Sequence, residues 1–174
     1  MKSFVAILAL LLWATSAMAA VKCDLPELDA VEKADPQCLF YTGTQHFREK
    51  SYESAVTSWK QLVALSDVPL EHEHLRTDAH NNLGYMYFMG WGVAADRKTA
   101  LEYWSYAYKA GHEESAYHLC HYYGEPKEPV YRRQLAKGYC KEALRRYEQL
   151  GAKLNESAEV IRQLNGFMAR LSVE

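Results

Sequence analysis

The sequence has little net charge, only one long apolar run and no alternating pattern of apolar and polar residues. Its 22 acidic and 20 basic residues leave a formal net charge of −2, which argues against a nucleic-acid-binding protein. Because no stretch alternates with a period of two, β-strands are not expected. The chain is nonetheless 49% hydrophobic, which is ordinary for a folded protein and excludes wholesale disorder.

The one long apolar run lies near the N-terminus. Lys2 precedes an apolar stretch over residues 4–13, and residues 17–19 follow with a small residue at each end. This is the organisation of a secretory signal peptide over residues 1–19, cleaved near Ala19. A membrane anchor is the alternative, but the run is shorter than the roughly 20 residues that span a bilayer. We therefore expect a periplasmic or secreted protein with no direct membrane insertion.

Export determines how the four cysteines are interpreted. In an oxidising compartment they predict two disulfides, for which three connectivities exist. Proximity in the sequence favours Cys23 with Cys38 and Cys120 with Cys140. A metal site is a weaker alternative because neither pair has CxxC spacing. A catalytic thiol is weaker still, since a free thiol outside the cytoplasm is readily oxidised.

Glycine, proline and capping residues divide the remaining chain into helical segments. Asp35 followed by Pro36 predicts the start of a helix, and Ser51, Asp96 and Asn155 are expected to cap later ones. Between these signals the apolar residues recur at spacings of three and four, as on one face of a helix. The sequence therefore predicts an all-α protein built from helix pairs joined by short turns.

The helix pairs contain an internal repeat with an offset of 36 residues. Residues 83–87 (Leu-Gly-Tyr-Met-Tyr) align with residues 119–123 (Leu-Cys-His-Tyr-Tyr). Residues 79–111 have the form A-x-x-x-L-G-x-x-Y-x-x-G-x-G-V-x-x-D-x-x-x-A-x-x-Y-W-x-x-A-x-x-x-G. Small residues in this pattern let two helices cross closely, and the aromatic residues fill the space around them. Gly90 and Gly92 permit left-handed backbone in the turn.

This pattern resembles the Sel1-like repeat, a helix–turn–helix relative of the tetratricopeptide repeat. Residues 79–111 match nearly the whole motif, whereas the following unit is degenerate, with Cys120 in place of the motif glycine. The unit over residues 38–66 is more similar to an ordinary tetratricopeptide repeat. The resemblance implies a bacterial member of the family with a short right-handed α-solenoid of about three helix–turn–helix repeats, and the signal-peptide pattern predicts that it is exported. The expected organisation is an N-terminal extension (20–35), an α-solenoid (36–174) with units at about 36–66, 75–111 and 113–151, and a C-terminal capping helix (155–172).

Few residues point to bond chemistry. On a helix, His72 and His74 would point roughly 200° apart and could not share one metal ion. His118 and His121 could share a face, but no third ligand is evident. No serine has the surroundings of a nucleophile. We therefore expect no catalytic residues, no metal and no cofactor.

A basic stripe is expected on the helix over residues 131–153. Residues 20–80 hold eleven acids and six bases, whereas residues 130–174 hold nine bases and five acids. Within that basic region Arg133, Lys137, Lys141 and Arg145 recur every four residues, so they share one helix face. They are candidates for contact with an acidic partner, and the alternative is a solvated face balanced by distant acids.

The resemblance also implies a concave binding face, lined by the first helix of each pair. Large rings with a polar end are common at interfaces, and the sequence has more tyrosines than the motif needs. The candidate partner-binding residues on these helices are Asn81, Asn82, Tyr85, Met86, Tyr117, His118, His121 and Tyr122.

The expected function is an exported protein–protein interaction adaptor or scaffold. The resemblance implies an accessory or assembly factor of an envelope complex, with another protein as its partner. Two alternatives remain open: a small-ligand binder or hydrolase of the β-lactam or peptidoglycan-fragment kind, and a secreted effector that binds a host protein. A shared repeat fold does not by itself choose among them.

Overall fold

The computed structural model describes residue 23 and residues 35–127, 129–150 and 155–173. The predicted signal peptide lies outside these residues, as does the N-terminal extension apart from its residues 23 and 35. The described residues form seven α-helices and no strand: α1 (Pro36–Arg48), α2 (Tyr52–Ala64), α3 (Glu73–Met89), α4 (Arg97–Lys109), α5 (Glu113–Gly124), α6 (Arg133–Leu150) and α7 (Asn155–Val173), with a 3₁₀ turn (Leu70–His72) before α3.

Local sequence signals set most of the helix boundaries. The Asp35 carboxylate accepts hydrogen bonds from the backbone N–H groups at the start of α1, and Asp96 does the same for α4. Ser51 occupies the N-cap position of α2, but its side chain makes no capping hydrogen bond. Helix α5 is capped by a ring nitrogen of His112, a role that was not predicted from the sequence. Gly90 ends α3 in the left-handed conformation, with φ of 73°.

The helices pack in consecutive antiparallel pairs. The most extensive packing joins α1 to α2, α3 to α4 and α5 to α6, and each pair also packs on the next. Helix α7 packs against α6 and closes the end of the array by burying Leu164, Phe167 and Leu171. The all-α solenoid of helix pairs with a capping helix, expected from the sequence, is confirmed.

A tryptophan of the second helix lies directly on a glycine of the first in two of the pairs. Trp59 lies on Gly43, and Trp104 lies on Gly84. A Cβ atom at Gly43 would come within 2.6 Å of the Trp59 ring, and one at Gly84 within 2.5 Å of the Trp104 ring. Each indole N–H also donates to a backbone carbonyl three residues before the glycine, at 3.3 Å for Trp59 and 3.2 Å for Trp104. Glycine is therefore required at these crossings because the tryptophan occupies the space of its side chain.

The third pair replaces this glycine–tryptophan contact with a disulfide. Cys120 lies 36 residues after Gly84, and Cys140 lies 36 residues after Trp104. The two cysteines are fully buried and bonded to each other, with Cα atoms 4.7 Å apart. Cys23 is bonded to Cys38, with Cα atoms 5.1 Å apart. Both pairings are those that sequence proximity favours.

A repeated tyrosine pair shows that the offset of 36 residues extends into the second helices. Tyr87 stacks on Tyr103 with ring centroids 5.6 Å apart, and Tyr123 stacks on Tyr139 at 5.7 Å. Each member of the second pair lies 36 residues after its counterpart in the first. The third unit therefore preserves the packing around the crossing, although the crossing itself uses a different contact.

Candidate functional site

A groove runs along the first helices of the three pairs, α1, α3 and α5. Its larger pocket has a volume of about 400 Å³ and is lined by side chains of these helices and of α2. The lining residues are Thr44, Phe47, Arg48, Trp59, Asn81, Asn82, Tyr85, Glu114 and His118. A second pocket of about 240 Å³ shares Tyr85 and His118 with the first, so the two pockets adjoin. Its other lining residues are Phe88, Arg97, Trp104, His121, Tyr122 and Glu125.

Six of the eight residues predicted for the concave face line these pockets. The larger pocket is lined by Asn81, Asn82, Tyr85 and His118. The smaller pocket is lined by Tyr85, His118, His121 and Tyr122.

The other two predicted concave-face residues lie outside the groove. Met86 is fully buried in the core among the first two pairs, so its prediction as a partner-facing residue is wrong. Its neighbour Tyr85 occupies the adjacent position on the helix, about 100° away, and takes the surface face instead. Tyr117 lines neither pocket, and its hydroxyl donates to Gln163 of α7 at 3.1 Å.

A buried hydrogen-bond network holds the middle of the groove. Asn81 is 2% exposed and joins α3 to α5. Its side-chain amide nitrogen, Nδ2, donates to a Glu114 carboxylate oxygen at 2.7 Å. Its side-chain oxygen, Oδ1, accepts a hydrogen bond from the Ser115 hydroxyl at 2.8 Å. These two bonds satisfy the buried amide and fix the Glu114 carboxylate at the wall of the groove.

The same network contains an aspartate, a histidine and a serine in contact. Asp78 lies 3.3 Å from the His112 Nε2 atom, and the Ser115 hydroxyl lies 3.4 Å from His112 Nδ1. The arrangement does not resemble a working nucleophile, because Ser115 is fully buried and its hydroxyl proton is directed to Asn81. His112 Nδ1 instead accepts the Ser115 backbone N–H, as the cap of α5. The cluster stabilises the contact between the second and third pairs.

His118 is a largely buried, neutral ring at the junction of the two pockets, with 14% of its side chain exposed. It stacks on Trp104 with centroids 4.7 Å apart and approaches the ring of Tyr85 at 5.8 Å. Burial, and then the nearby His112 and His121, lower the pKa of His118 to about 3. The imidazole is therefore uncharged near neutral pH.

His121 is a half-buried ring that lines the smaller pocket. Burial, and then the charge of Arg170, lowers the pKa of His121. Its ring lies 4.5 Å from that of Tyr117 and 4.3 Å from that of Phe167, measured between centroids. Its Nε2 atom is buried and has no hydrogen-bond partner in the described part of the chain. The smaller pocket thus combines aromatic and histidine rings with the ionisable side chains of Arg97 and Glu125.

The buried His118 predicts that stability falls at acid pH. The unfolded chain takes up a proton at this ring near pH 6.5, whereas the folded chain does so only near pH 3. The stabilisation is complete above pH 6.5 and is lost as the pH falls towards 3, at about 1.4 kcal/mol per pH unit from this group. We expect His118→Phe, which keeps a ring against Trp104, to flatten the decline in the free energy of unfolding measured in urea between pH 6.5 and 4.5.

The exposed His74 provides the matched control for this measurement. His74→Gln removes an imidazole from the surface, so the decline with pH should match that of the unsubstituted protein. An equal decline in His118→Phe and in the unsubstituted protein would contradict the role assigned to His118.

The basic stripe on α6 is partly used within the fold. The Arg133 guanidinium donates to the Leu171 carbonyl at 2.6 Å and so ties α6 to the end of α7. Arg145 pairs with Glu142 at 2.6 Å, and hydrogen bonds from Arg145, and then Arg146, lower the pKa of Glu142 to about 2.

The two lysines of the stripe remain available. Lys141 is exposed and Lys137 is half-buried, and neither forms an ion pair with a carboxylate of the described residues. Within the described residues, the part of the stripe that makes no ion pair or contact with another helix is therefore a pair of lysines, not four cations.

Sequence reasoning missed the contribution of the first pair and of one acidic residue. Phe47, Arg48 and Trp59 line the larger pocket, although only the second and third units had supplied candidates. Glu114 also lines this pocket and was not among the predicted residues. Its position four residues before His118 was a usable signal, because residues at this spacing share a helix face.

The described residues offer no group of three or more histidine, cysteine, aspartate or glutamate side chains that could hold a metal ion. A further pocket of about 410 Å³ lies beside the α4–α5 turn and is lined in part by acidic and histidine side chains, but these are not grouped as metal ligands. None of the described helices combines the length and apolar character needed to cross a membrane.

The paired helices, the glycine–tryptophan crossings and the groove along the first helices define a helical repeat protein of the solenoid class. No family model matches the sequence, and neither does any curated protein. Among solved structures the fold is similar to that of a Sel1 repeat protein from Oxalobacter formigenes, with a TM-score of 0.53 and 19% identity. The similarity covers 82% of this chain and 60% of that one, so the chain spans about three-fifths of the other protein's length. The fold implied by residues 79–111, that of Sel1 repeats, is confirmed.

Proposed function

We propose that this protein is a non-enzymatic adaptor that binds another protein in the groove along α1, α3 and α5. The observation that carries the proposal is the groove itself, in which two adjoining pockets lined by aromatic and polar side chains follow three successive helix pairs. Half-buried aromatic rings with a polar end supply much of the binding energy at protein interfaces. The Sel1-repeat fold supports the same role by analogy.

The proposed site of action is outside the cytoplasm. The two disulfides fit an oxidising compartment. The signal-peptide pattern over residues 1–19 supports export to the periplasm or the medium, with cleavage near Ala19. Within that compartment we infer an accessory or assembly factor of an envelope complex. Three helix pairs present a small surface, which favours one dedicated partner.

The accessible lysines of α6 are a second proposed contact. Lys137 and Lys141 would face acidic groups of the partner, whereas Arg133 and Arg145 act within the fold. Exposed charge pairs contribute mainly to the association rate and to its salt dependence. The lysines are therefore proposed to steer the partner, and the groove to hold it.

Site-specific photo-crosslinking in cells tests the proposal. A photoreactive amino acid replaces Asn82 in the groove, or the exposed Glu102 on α4 as a matched position outside both pockets. We expect one defined crosslinked protein from position 82, identified by mass spectrometry, and none from position 102. A crosslink of equal yield from both positions, or none from position 82, would argue against the groove as the binding face.

A further inference from the structure

One carboxylate in the groove is not neutralised by a cation of the described residues. Glu114 lines the larger pocket, and its side chain is about half exposed (50%). One oxygen accepts the Asn81 amide at 2.7 Å, and the other lies 3.8 Å from His118 Nε2. A separation of 3.8 Å is too long for a hydrogen bond. Because that imidazole is uncharged near neutral pH, Glu114 has only neutral neighbours among the described residues within ion-pairing distance.

Aromatic side chains line the same pocket as this carboxylate. Phe47 and Tyr85 line the same pocket and are half-buried. The face of an aromatic ring carries partial negative charge and attracts a cation placed over it. A carboxylate beside such rings favours a cation through both the carboxylate charge and the ring faces.

Arg48 is the one cationic residue among the described residues that line the larger pocket. Arg48 ends α1 and is exposed, so water screens its charge. No ion pair joins Arg48 to Glu114, although both residues line the pocket. The carboxylate therefore remains open to a cation from outside the protein.

We propose that Glu114 is the anchor for an arginine side chain of the partner, inserted into the larger pocket. This inference rests on the proposed adaptor function and adds the chemistry of the segment that is bound. Arginine fits better than lysine because its planar guanidinium can lie on an aromatic ring and still donate to a carboxylate in its own plane. The buried Asn81 is a positioning residue, since its amide fixes the carboxylate before the partner arrives.

The proposal is tested with the tripeptide acetyl-Ala-Arg-Ala-amide and the disulfide-bonded mature chain. Amide chemical shifts in two-dimensional NMR spectra report where the peptide binds and how tightly. We expect saturable shifts at residues 81, 82, 85 and 114 in the millimolar range. The neutral isostere, with citrulline in place of arginine, should bind about tenfold more weakly or not at all, because it lacks the charge that pairs with the carboxylate. This comparison needs no substitution in the protein.

Two substitutions in the same helical turn provide the matched pair. Glu114→Gln removes the charge and keeps an oxygen to accept the Asn81 amide, so the fold is retained. It should weaken binding of the arginine peptide by about tenfold. Glu113→Gln removes the same charge one residue earlier, outside both groove pockets, and should leave binding unchanged. Equal binding of the arginine and citrulline peptides, or equal loss in both variants, would overturn the proposal.

The outcome also separates this inference from the adaptor function. If the crosslink from position 82 persists in Glu114→Gln and the arginine peptide does not bind, the groove binds its partner through other chemistry. If the crosslink is absent and the arginine peptide still binds at Glu114, the cation site stands and the proposed adaptor role fails.

Discussion

Trp104→Ala is expected to destabilise the protein by about 3–5 kcal/mol, the usual cost of deleting a buried tryptophan side chain. Trp104 is 2% exposed and fills the crossing of α3 and α4, directly on Gly84. The glycine offers no side chain that could move into the space left by the indole. The substitution also removes the hydrogen bond from the indole N–H to the backbone carbonyl of Asn81. The side chain of the same asparagine holds Glu114. Urea unfolding followed by far-ultraviolet circular dichroism measures the loss.

Two further substitutions make this result specific to the crossing. Trp104→Phe keeps a ring at the crossing and should cost less than Trp104→Ala. Trp91, which is half-buried and stacks on Tyr52 with centroids 4.9 Å apart, provides the comparison outside the crossing. Trp91→Ala should cost clearly less than Trp104→Ala. A loss below about 1 kcal/mol for Trp104→Ala, which is typical of a surface substitution, would contradict the importance of the crossing.

Removing the disulfide of the third pair is expected to cost about 3 kcal/mol, since it closes a loop of roughly 20 residues. The variant carries Cys120→Ala and Cys140→Ala together, so no free thiol remains at the crossing. Both positions are fully buried, and the alanines leave part of the space between α5 and α6 unfilled. The free energy of unfolding in urea gives the cost.

Reductant provides the control for the disulfide prediction. Dithiothreitol should lower the unfolding midpoint of the unsubstituted protein and affect the Cys120→Ala/Cys140→Ala variant less. The variant still contains the disulfide between Cys23 and Cys38, so the difference between the two responses isolates the buried disulfide. An unchanged midpoint in fully reduced, unsubstituted protein would show that neither disulfide stabilises the fold.

The two predictions concern equivalent positions of successive units. In the second unit, Gly84 and Trp104 hold the first and second helices by close packing. In the third unit, Cys120 and Cys140 hold the same two positions with a covalent bond. The covalent contact explains how a unit with a degenerate motif still packs its helices at the same offset of 36 residues.

Much of the fold could be predicted because its signals are local. The helix start at Asp35 and Pro36, the cap at Asp96 and the turn at Gly90 all act within a few residues of the chain. The disulfide between Cys120 and Cys140 was also predictable, because two antiparallel helices bring residues at equal distances from their turn side by side. These features depend on how far apart residues lie along the chain, which can be read from the sequence.

The candidate site was harder to predict because each of its residues depends on a neighbour that is distant in sequence. Met86 and Tyr85 are adjacent in sequence, and only the packing of α3 against α2 decides which of them is buried. Arg133 belongs to a basic stripe by spacing, yet it is bound to the end of α7. Glu114 became a candidate anchor only once Asn81 was seen to hold it.

The sequence by itself determined the helix pairs, the repeat, the pairing of the cysteines and the pattern that predicts export, because these depend on short-range periodicity and spacing. Only the tertiary structure decided which polar side chains are satisfied within the fold and which remain available to a partner. That distinction depends on distances between helices, because a change of about one ångström decides whether a donor and an acceptor form a hydrogen bond. Arg133 and Glu114 illustrate it: the first is hydrogen-bonded to the end of α7, and the second is an anion without a cationic partner among the described residues.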